Sequence, residues 1–282
     1  MIIFYTPAAE HFAAGIDLPH GASTIKRFAD GELNYIIDQD VSNQQIWVIA
    51  TTTSCSDSYF ELFFLLDALA RCGATINLVI TYLGYARQDR ATQPRQAVGG
   101  AIIATMLKQF NLASLHIIHA HNVKLQRIVP FEQHIPYKLF YPIVAQADII
   151  VAPDQGAQEC AQTLGNQCNK PVTYFEKMRT NGQITNLTLH GDVAGKTVVL
   201  LDDMINTGQT ITQASMILKD SGAQEIVAVA THGIFAGDAL EKIEQSTISK
   251  VYVTNSVEQK VASKKVEVVG IETEITRIIK NF

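Results

Sequence analysis

The segment from Val198 to Thr210 constrains the fold of this chain more than any other part of its sequence. Four apolar residues lead into Asp202 and Asp203, and a short polar loop that contains Gly208 follows them. We expect a buried strand, a loop and then the start of a helix. Backbone N–H groups at such a turn converge on an anion, and the helix dipole also favours negative charge there. The segment therefore predicts a sugar-phosphate cradle, with both carboxylates placed for sugar hydroxyls or a magnesium ion.

Short apolar runs alternate with helical patterns along the whole chain. Helical spacing of apolar residues occurs at 59–71 and 102–110. The apolar runs are predicted as strands at residues 46–50, 76–81, 115–120, 148–152, 198–201, 226–231 and 250–254. This alternation is typical of α/β proteins, in which helices flank mainly parallel sheets.

The two halves of the chain share a local pattern. Gly73-Ala74 precedes one predicted strand and Gly222-Ala223 precedes another, each after a strand, a polar loop and a helix. The second half therefore looks like a diverged copy of the first, although any two βαβ units share such features. A length of 282 residues suits two medium domains. We expect one domain over residues 1–143 and another over residues 144–282.

Composition and motifs exclude several classes of protein. A net charge of −5 disfavours a nucleic-acid surface, and the G-x-x-x-x-G-K-[ST] loop of many triphosphate sites does not occur. No apolar run approaches the ~20 residues of a membrane helix, and the N-terminus resembles a first strand rather than a signal peptide. The four cysteines form no C-x-x-C pair, which favours small core residues. We expect a soluble, cytoplasmic protein.

Two loops carry charges suited to binding a nucleotide. Residues 27–32 place acidic side chains around a glycine turn, although solvated β-turns have the same composition. Residues 84–90 follow a predicted strand and contain Arg87 and Arg90, whose guanidinium groups are well placed for phosphates. A solvated loop is the other interpretation of this second segment.

His116, His119 and His121 lie on or beside the strand predicted at 115–120. On a strand, His119 and His121 would point to one face, which suits a metal ligand, whereas a single member would be a packed core histidine. The run supplies too few ligands for a zinc site. We expect instead that one imidazole assists a magnesium–nucleotide complex.

Two further segments place charges after predicted strands. Asp154 follows a strand and precedes Gly156, so its carboxylate either holds magnesium or caps the next helix. Lys177 and Arg179 alternate ahead of the turn-forming pair Asn181-Gly182. Two cations on a hairpin arm are suited to neutralising charge on a transferring polyphosphate, although a solvated charged hairpin fits the pattern as well.

In this order, the motifs resemble those of the ribose-phosphate pyrophosphokinases over essentially the whole chain. The most specific match is Tyr85–Arg90, which is similar to the family's Y-A-R-Q-D-R. The segment from Phe28 to Glu32 is similar to an F-x-D-G-E loop that contacts adenine. His119-Ala120 and Asp154 match motifs that the family uses for magnesium and ATP. Lys177 and Arg179 fall at its K-x-R motif, and residues 198–210 resemble its ribose 5-phosphate loop.

The resemblance implies a fold and a reaction. The fold would have two phosphoribosyltransferase-like domains, with ATP on the side of residues 1–143 and ribose 5-phosphate on the side of residues 144–282. The last segment would pack back on the N-terminal domain. The reaction would transfer pyrophosphate from Mg–ATP to the C1 hydroxyl of ribose 5-phosphate, giving phosphoribosyl pyrophosphate and AMP, with Mg²⁺ as cofactor. The F-x-D-G-E loop would serve a neighbouring subunit, which implies a homo-oligomer of at least two chains.

The resemblance also implies a role for each matching residue. Lys177 and Arg179 would be catalytic, and His119 and Asp154 would hold the metal. The ATP site would contain Phe28, Asp30, Glu32, Arg87, Gln88, Asp89 and His119. The ribose 5-phosphate site would contain Asp202, Asp203, Asn206, Thr207, Gly208, Gln209 and Thr210.

Three departures from the family pattern leave other functions open. Asn206 stands where the family usually carries an acid, Gln209 where it carries glycine, and Ile117 where it carries aspartate. A non-catalytic subunit that regulates or scaffolds an active partner fits these departures. A phosphoribosyltransferase that consumes phosphoribosyl pyrophosphate fits the loop of Asp202 and Asp203 alone, but it would need neither of the predicted ATP loops.

Overall fold

The computed structural model describes residues 1–180, 183–260 and 262–282, and of residues 177–180 and 183–186 it describes the backbone only. Its strands are β1 (Ile2–Tyr5), β2 (Ser23–Arg27), β3 (Leu33–Ile37), β4 (Gln45–Thr52), β5 (Thr75–Leu83), β6 (Ser114–Ile118), β7 (Glu132–His134), β8 (Ile149–Ala152), β9 (Val172–Thr180), β10 (Gln183–His190), β11 (Thr197–Ile205), β12 (Glu225–Gly233), β13 (Lys250–Thr254) and β14 (Val266–Val269). Its α-helices are α1 (Ser56–Arg71), α2 (Gly99–Lys108), α3 (Tyr137–Ala145), α4 (Gln158–Cys168), α5 (Gln209–Asp220), α6 (Ala239–Gln245) and α7 (Glu272–Asn281).

One compact unit comprises residues 1–135, 256–258 and 272–282. Its sheet has the order β1-β4-β5-β6-β7, and every neighbouring pair is parallel. From its second residue to its last, β4 is buried, so both faces of the sheet are covered at its centre. A parallel strand that is buried on both faces has a continuous run of apolar residues, and such runs made these strands predictable from the sequence.

The second compact unit comprises residues 136–255 and 259–271. Its sheet has the order β10-β9-β8-β11-β12-β13-β14, and the pair β9–β10 is antiparallel whereas the other pairs are parallel. With helices alternating along both units, the predicted α/β class with mainly parallel sheets is confirmed.

The helices of the two segments β4–α1–β5 and β11–α5–β12 end in the same way. Gly73 and Gly222 follow α1 and α5 with left-handed φ angles of 76° and 86°. The residue after each glycine donates its N–H to the carbonyl oxygen five residues earlier, at 3.2 and 3.0 Å. This is the Schellman ending, in which glycine adopts φ above zero without a steric penalty. The shared ending supports the predicted resemblance between the halves.

Two expectations on individual residues are wrong. Cys55 and Cys72 are exposed rather than packed in the core, because they flank α1 at its two ends. The strand predicted at 115–120 ends at Ile118, so His119 and His121 do not share a strand face. Within the described part of the chain, no helix combines the length and apolar composition that a membrane crossing requires.

Candidate active site

The loop after β11 has the geometry that its sequence predicts. Gly208 has a left-handed φ of 73° and stands immediately before α5, whose early turn is closed by a 3.0 Å bond from the N–H of Thr212 to the carbonyl of Gly208. A Cβ at Gly208 would lie 3.3 Å from the carbonyl oxygen of Ala239, so the position is tight as well as left-handed. The first N–H groups of a helix have no carbonyl partner within it. Those of residues 209–211 are therefore suited to an anion such as a phosphate.

Asp202 and Asp203 belong to β11 itself, which runs four residues beyond the predicted Leu201 to Ile205. The strand continues because its backbone pairs with β12, where Asp202 lies opposite Ala230. The N–H of Asp203 donates to Oδ1 of Asp202 at 2.9 Å. Burial raises the pKa of Asp202 well above its usual range, and the nearby carboxylates of Asp203 and Asp154 raise it further. These three carboxylates create a site that favours a proton or a cation.

Asp154 follows β8 and caps the short helical turn Gln155–Ala157. Its Oδ1 accepts hydrogen bonds from the N–H groups of Gly156 at 3.0 Å and Ala157 at 3.3 Å. The capping interpretation therefore holds. It is compatible with a second role, because a carboxylate has more than one acceptor position.

The loop at residues 84–90 follows β5 and has a fixed backbone. The hydroxyl of Tyr59 donates to the carbonyl of Gly84 at 2.7 Å, and the hydroxyl of Tyr85 donates to that of Ser54 at 3.1 Å. Four consecutive polar residues of this loop are exposed to solvent, namely Arg87, Gln88, Asp89 and Arg90. A rigid loop that presents exposed charges suits a polyphosphate ligand.

Asn122 is a contributor to this region that the sequence analysis missed. Its Nδ2 donates to Oδ2 of Asp89 at 2.8 Å, and its Oδ1 accepts from the N–H of Lys124 at 2.9 Å. The second bond caps the 3-10 helix Val123–Arg127. Asparagine is a preferred capping residue, so its position before a helical turn was the available clue. The contact with Asp89 depends on tertiary structure and has no local pattern.

His119 lies just beyond β6 in an uncommon backbone conformation. Its φ is 40°, its side chain is buried, and its N–H donates to the carbonyl of His134 at 2.8 Å. Positive φ in a residue with a Cβ costs about 1–3 kcal/mol and persists where the surrounding structure enforces it. Such residues concentrate at functional sites, which supports the interpretation of His119 as a ligand-binding residue.

The segment Phe28–Glu32 is the exposed tip of an antiparallel ribbon formed by β2 and β3. The N–H of Phe28 donates to the carbonyl of Glu32 at 2.9 Å, and Asp30 Oδ1 accepts from the N–H of Glu32 at 3.1 Å. At the base of the tip, Arg27 forms a 3.0 Å ion pair with Asp57 of α1. Phe28 is 57% exposed on a tip that also carries Asp30 and Glu32, which suits contact with another surface.

Lys177 and Arg179 lie on β9, whose backbone forms the predicted hairpin with β10. In its register, Lys177 stands opposite Leu187 and Arg179 opposite Ile184. The side chains of both cations, and the turn pair Asn181-Gly182, lie outside the described residues. The metal-binding pair predicted from the sequence is divided between the two units, with His119 in the first and Asp154 in the second.

Two family models match separate parts of the chain. One, described as the N-terminal domain of ribose phosphate pyrophosphokinase, matches residues 5–110. The other, described as a phosphoribosyl synthetase-associated domain, matches residues 153–282.

Individual relatives extend these matches over most of the chain. Ribose-phosphate pyrophosphokinase 2 of Enterococcus faecalis is 33% identical over 89% of this chain and 81% of its own length. Ribose-phosphate pyrophosphokinase of Helicobacter hepaticus is 31% identical over 99% of this chain and 93% of its own. The crystal structure of phosphoribosylpyrophosphate synthetase from Mycobacterium smegmatis has a TM-score of 0.89 and 25% identity, covering 99% of this chain and 97% of that chain.

Proposed function

Because this chain belongs to the ribose-phosphate pyrophosphokinase family, its reaction is the synthesis of phosphoribosyl pyrophosphate, and we propose how its residues divide the work. The C1 hydroxyl of ribose 5-phosphate attacks the β-phosphorus of ATP, and AMP leaves. The observation that carries the assignment of residues is the turn from Asp202 to α5, because it offers helix N–H groups and carboxylates side by side. Such chemistry depends on positioning and electrostatics.

Ribose 5-phosphate binds at the loop between β11 and α5. The N–H groups of Thr207, Gly208, Gln209 and Thr210 hold the 5-phosphate, as helix N-termini do with anions. Asp202, Asp203 and Asn206 orient the ribose hydroxyls. The backbone at Asn206 is fixed, since its main-chain carbonyl accepts a 2.9 Å hydrogen bond from the N–H of Ala236.

ATP binds to the exposed side chains of Arg87, Gln88 and Asp89 together with His119. The arginine pairs with phosphate oxygens, and the acceptors Gln88 and Asp89 suit the amino and hydroxyl groups of the nucleoside. Asn122 positions Asp89 through its 2.8 Å hydrogen bond. Lys177 and Arg179 stabilise charge on the transferring group.

Mg²⁺ fits the donor chemistry of this chain. Asp154 offers carboxylate oxygens, which are the ligands that magnesium prefers, and His119 would be the second residue to hold the ion. Burial raises the pKa of Asp202, and the carboxylates of Asp203 and Asp154 raise it further, so a cation would stabilise this group of acids. When bound, the ion neutralises charge on the β- and γ-phosphate oxygens.

The exposed tip of the β2–β3 ribbon serves the ATP site of a second copy of the chain. Phe28 supplies a ring for stacking on adenine, and Asp30 and Glu32 supply acceptors for its amino group. Support comes from the exposure of Phe28 and from the ion pair of Arg27 with Asp57, which links the base of the ribbon to α1. The working assembly is therefore a homo-oligomer.

The other two functions that the sequence left open are not favoured. The relatives that match this chain over most of its length are named as pyrophosphokinases, rather than as scaffolds or phosphoribosyltransferases. Incubation of the purified protein with Mg–ATP and ribose 5-phosphate tests the reaction. We expect AMP and phosphoribosyl pyrophosphate in equal amounts, and ATP binding without AMP formation would contradict the assignment.

A further inference from the structure

Three potential metal ligands converge at the edge of the first unit's sheet. His116 lies on β6, and Glu132 and His134 lie on the neighbouring parallel strand β7, where the register places His116 beside Glu132. Nδ1 of His116 lies 3.0 Å from Nε2 of His134. Oxygens of Glu132 lie 3.6 Å from each of these two nitrogens. One ligand atom from each residue can be chosen so that all lie within 4.8 Å of one another.

A partly buried chain of hydrogen bonds fixes the tautomer of His116. The hydroxyl of Ser114 donates to Oδ1 of Asn77 at 2.7 Å, so its oxygen is left to accept from Nε2 of His116 at 3.1 Å. Neutral His116 therefore carries its proton on Nε2 and directs the lone pair of Nδ1 at His134. Metal-bound histidines typically have their second nitrogen held by such a partner.

The spacing of the three donors matches a metal site. In a tetrahedral zinc site, bonds of about 2.0–2.1 Å place neighbouring ligand atoms about 3.3–3.4 Å apart. The nitrogens are 3.0 Å apart, and each lies 3.6 Å from a different oxygen of Glu132, so these separations lie on either side of that value and a rotation of the exposed carboxylate brings one oxygen into position. Two imidazoles and a carboxylate are also a donor set that zinc accepts.

We propose that His116, Glu132 and His134 bind one divalent transition-metal ion of the zinc class. The ion replaces the hydrogen bond between the imidazoles, and the proton of His134 Nε2 moves to Nδ1, so the ring stays neutral. His116 and Glu132 also line a cavity of about 820 Å³, which gives the ion an entry path and leaves a fourth position for water. This site is independent of the proposed magnesium site, because magnesium prefers oxygen ligands.

Trp47 provides a direct reporter of the site. It is the only tryptophan in the chain, and its ring centroid lies 5.5 Å from that of His116. A paramagnetic ion at His116 should therefore quench the fluorescence of Trp47. The experiment uses the full-length protein, stripped with a chelator and titrated with Co²⁺ in excess Mg²⁺, followed by displacement with Zn²⁺.

We expect saturable quenching with one Co²⁺ per chain and recovery of fluorescence with Zn²⁺. The safest ligand variant is Glu132→Gln, because the Glu132 side chain is 65% exposed and its loss leaves the core intact. Glu132→Gln and His134→Ala should each weaken Co²⁺ binding by at least about tenfold, and Ser114→Ala by about 10- to 100-fold, as second partners of metal ligands do.

Two control variants test whether a loss of Co²⁺ binding is specific to the three ligands. Gln133→Ala alters the residue between the two β7 ligands, which lines the same cavity but supplies none of the three donors, and should leave binding unchanged. Asp154→Asn alters the proposed magnesium site and should leave it unchanged as well. No saturable quenching in the wild type, or equal affinity in Glu132→Gln and His134→Ala, would overturn the proposal. Because AMP formation is not the readout, the result is independent of the proposed function.

Discussion

Asn122 holds Asp89 through a hydrogen bond of 2.8 Å and caps a helical turn with its other side-chain atom. Asn122→Ala removes both bonds and should raise the KM for ATP about 3- to 10-fold, because a hydrogen bond contributes ~0.5–1.5 kcal/mol. Asn122→Asp keeps the cap but places a second carboxylate beside Asp89, so it should raise that KM further. Initial rates at varied ATP measure both. Equal KM values in all three proteins would show that Asn122 does not position Asp89 for nucleotide binding.

Gly208→Ala should impair the binding of ribose 5-phosphate. The new methyl group would lie 3.3 Å from the carbonyl oxygen of Ala239, on a backbone with φ of 73°. We expect the KM for ribose 5-phosphate to rise about tenfold or more, with a stability loss of about 1–2 kcal/mol from the left-handed backbone alone.

Gly195 is the matched control for this change. Its φ is 70°, and a Cβ there meets no atom within 4 Å. Gly195→Ala should therefore lose similar stability without affecting the KM for ribose 5-phosphate. Thermal unfolding and initial rates on both variants separate backbone strain from the shape of the loop. If both variants raise that KM equally, the loop is not the phosphate site.

The sequence predicted the turn from β11 to α5 because its determinants are local. An apolar run, a glycine and a helical pattern lie within a few residues of one another. The strand boundary was wrong because pairing with β12 keeps Asp202 extended past the apolar run. The cluster of His116, Glu132 and His134 was beyond prediction, since it depends on β7, a three-residue strand that has no apolar pattern. Its spacing is set by strand register rather than by neighbours in the chain.

Asp202 should make the metal-free protein less stable as pH rises. Burial and the carboxylates of Asp203 and Asp154 raise its pKa in the folded state well above 3.8, the ordinary value of an aspartate. Between that value and the raised pKa, the folded state holds more protons than the unfolded state, so the free energy of unfolding falls as pH increases.

The variant Asp202→Asn removes this dependence and keeps an oxygen to accept from the N–H of Asp203. In the absence of divalent ions we expect a higher Tm than wild type at neutral pH, and the pH-dependent part of the difference should disappear below pH 3.8. Asp220→Asn, at the exposed end of α5, is the control, and its Tm should change with pH as that of the wild type does. A Tm difference that does not depend on pH would contradict the assignment to this carboxyl group.

Lys177→Ala should lower turnover by about 10²-fold or more at saturating substrates, because removal of one preorganised charge donor has an effect of that size. Lys196→Ala is a suitable control, since Lys196 donates to the carbonyl of Asp192 at 2.6 Å and has no proposed role in the reaction. Single-turnover AMP formation measures the chemical step. Turnover equal to that of the control would remove Lys177 from catalysis.

Mixing two inactive variants tests whether Phe28 acts on a neighbouring subunit. In a symmetric dimer, Phe28→Ala damages the partner's ATP site, whereas Lys177→Ala damages the site of its own chain. Random reassociation of equal amounts should therefore restore about a quarter of the active sites, because half of the dimers are mixed and each mixed dimer has one intact site. If Phe28 acts within its own chain, each mixed dimer contains two damaged sites and mixing restores nothing. Rates of AMP formation before and after denaturation and joint refolding distinguish the two outcomes, and wild type mixed with Lys177→Ala sets the yield of exchange.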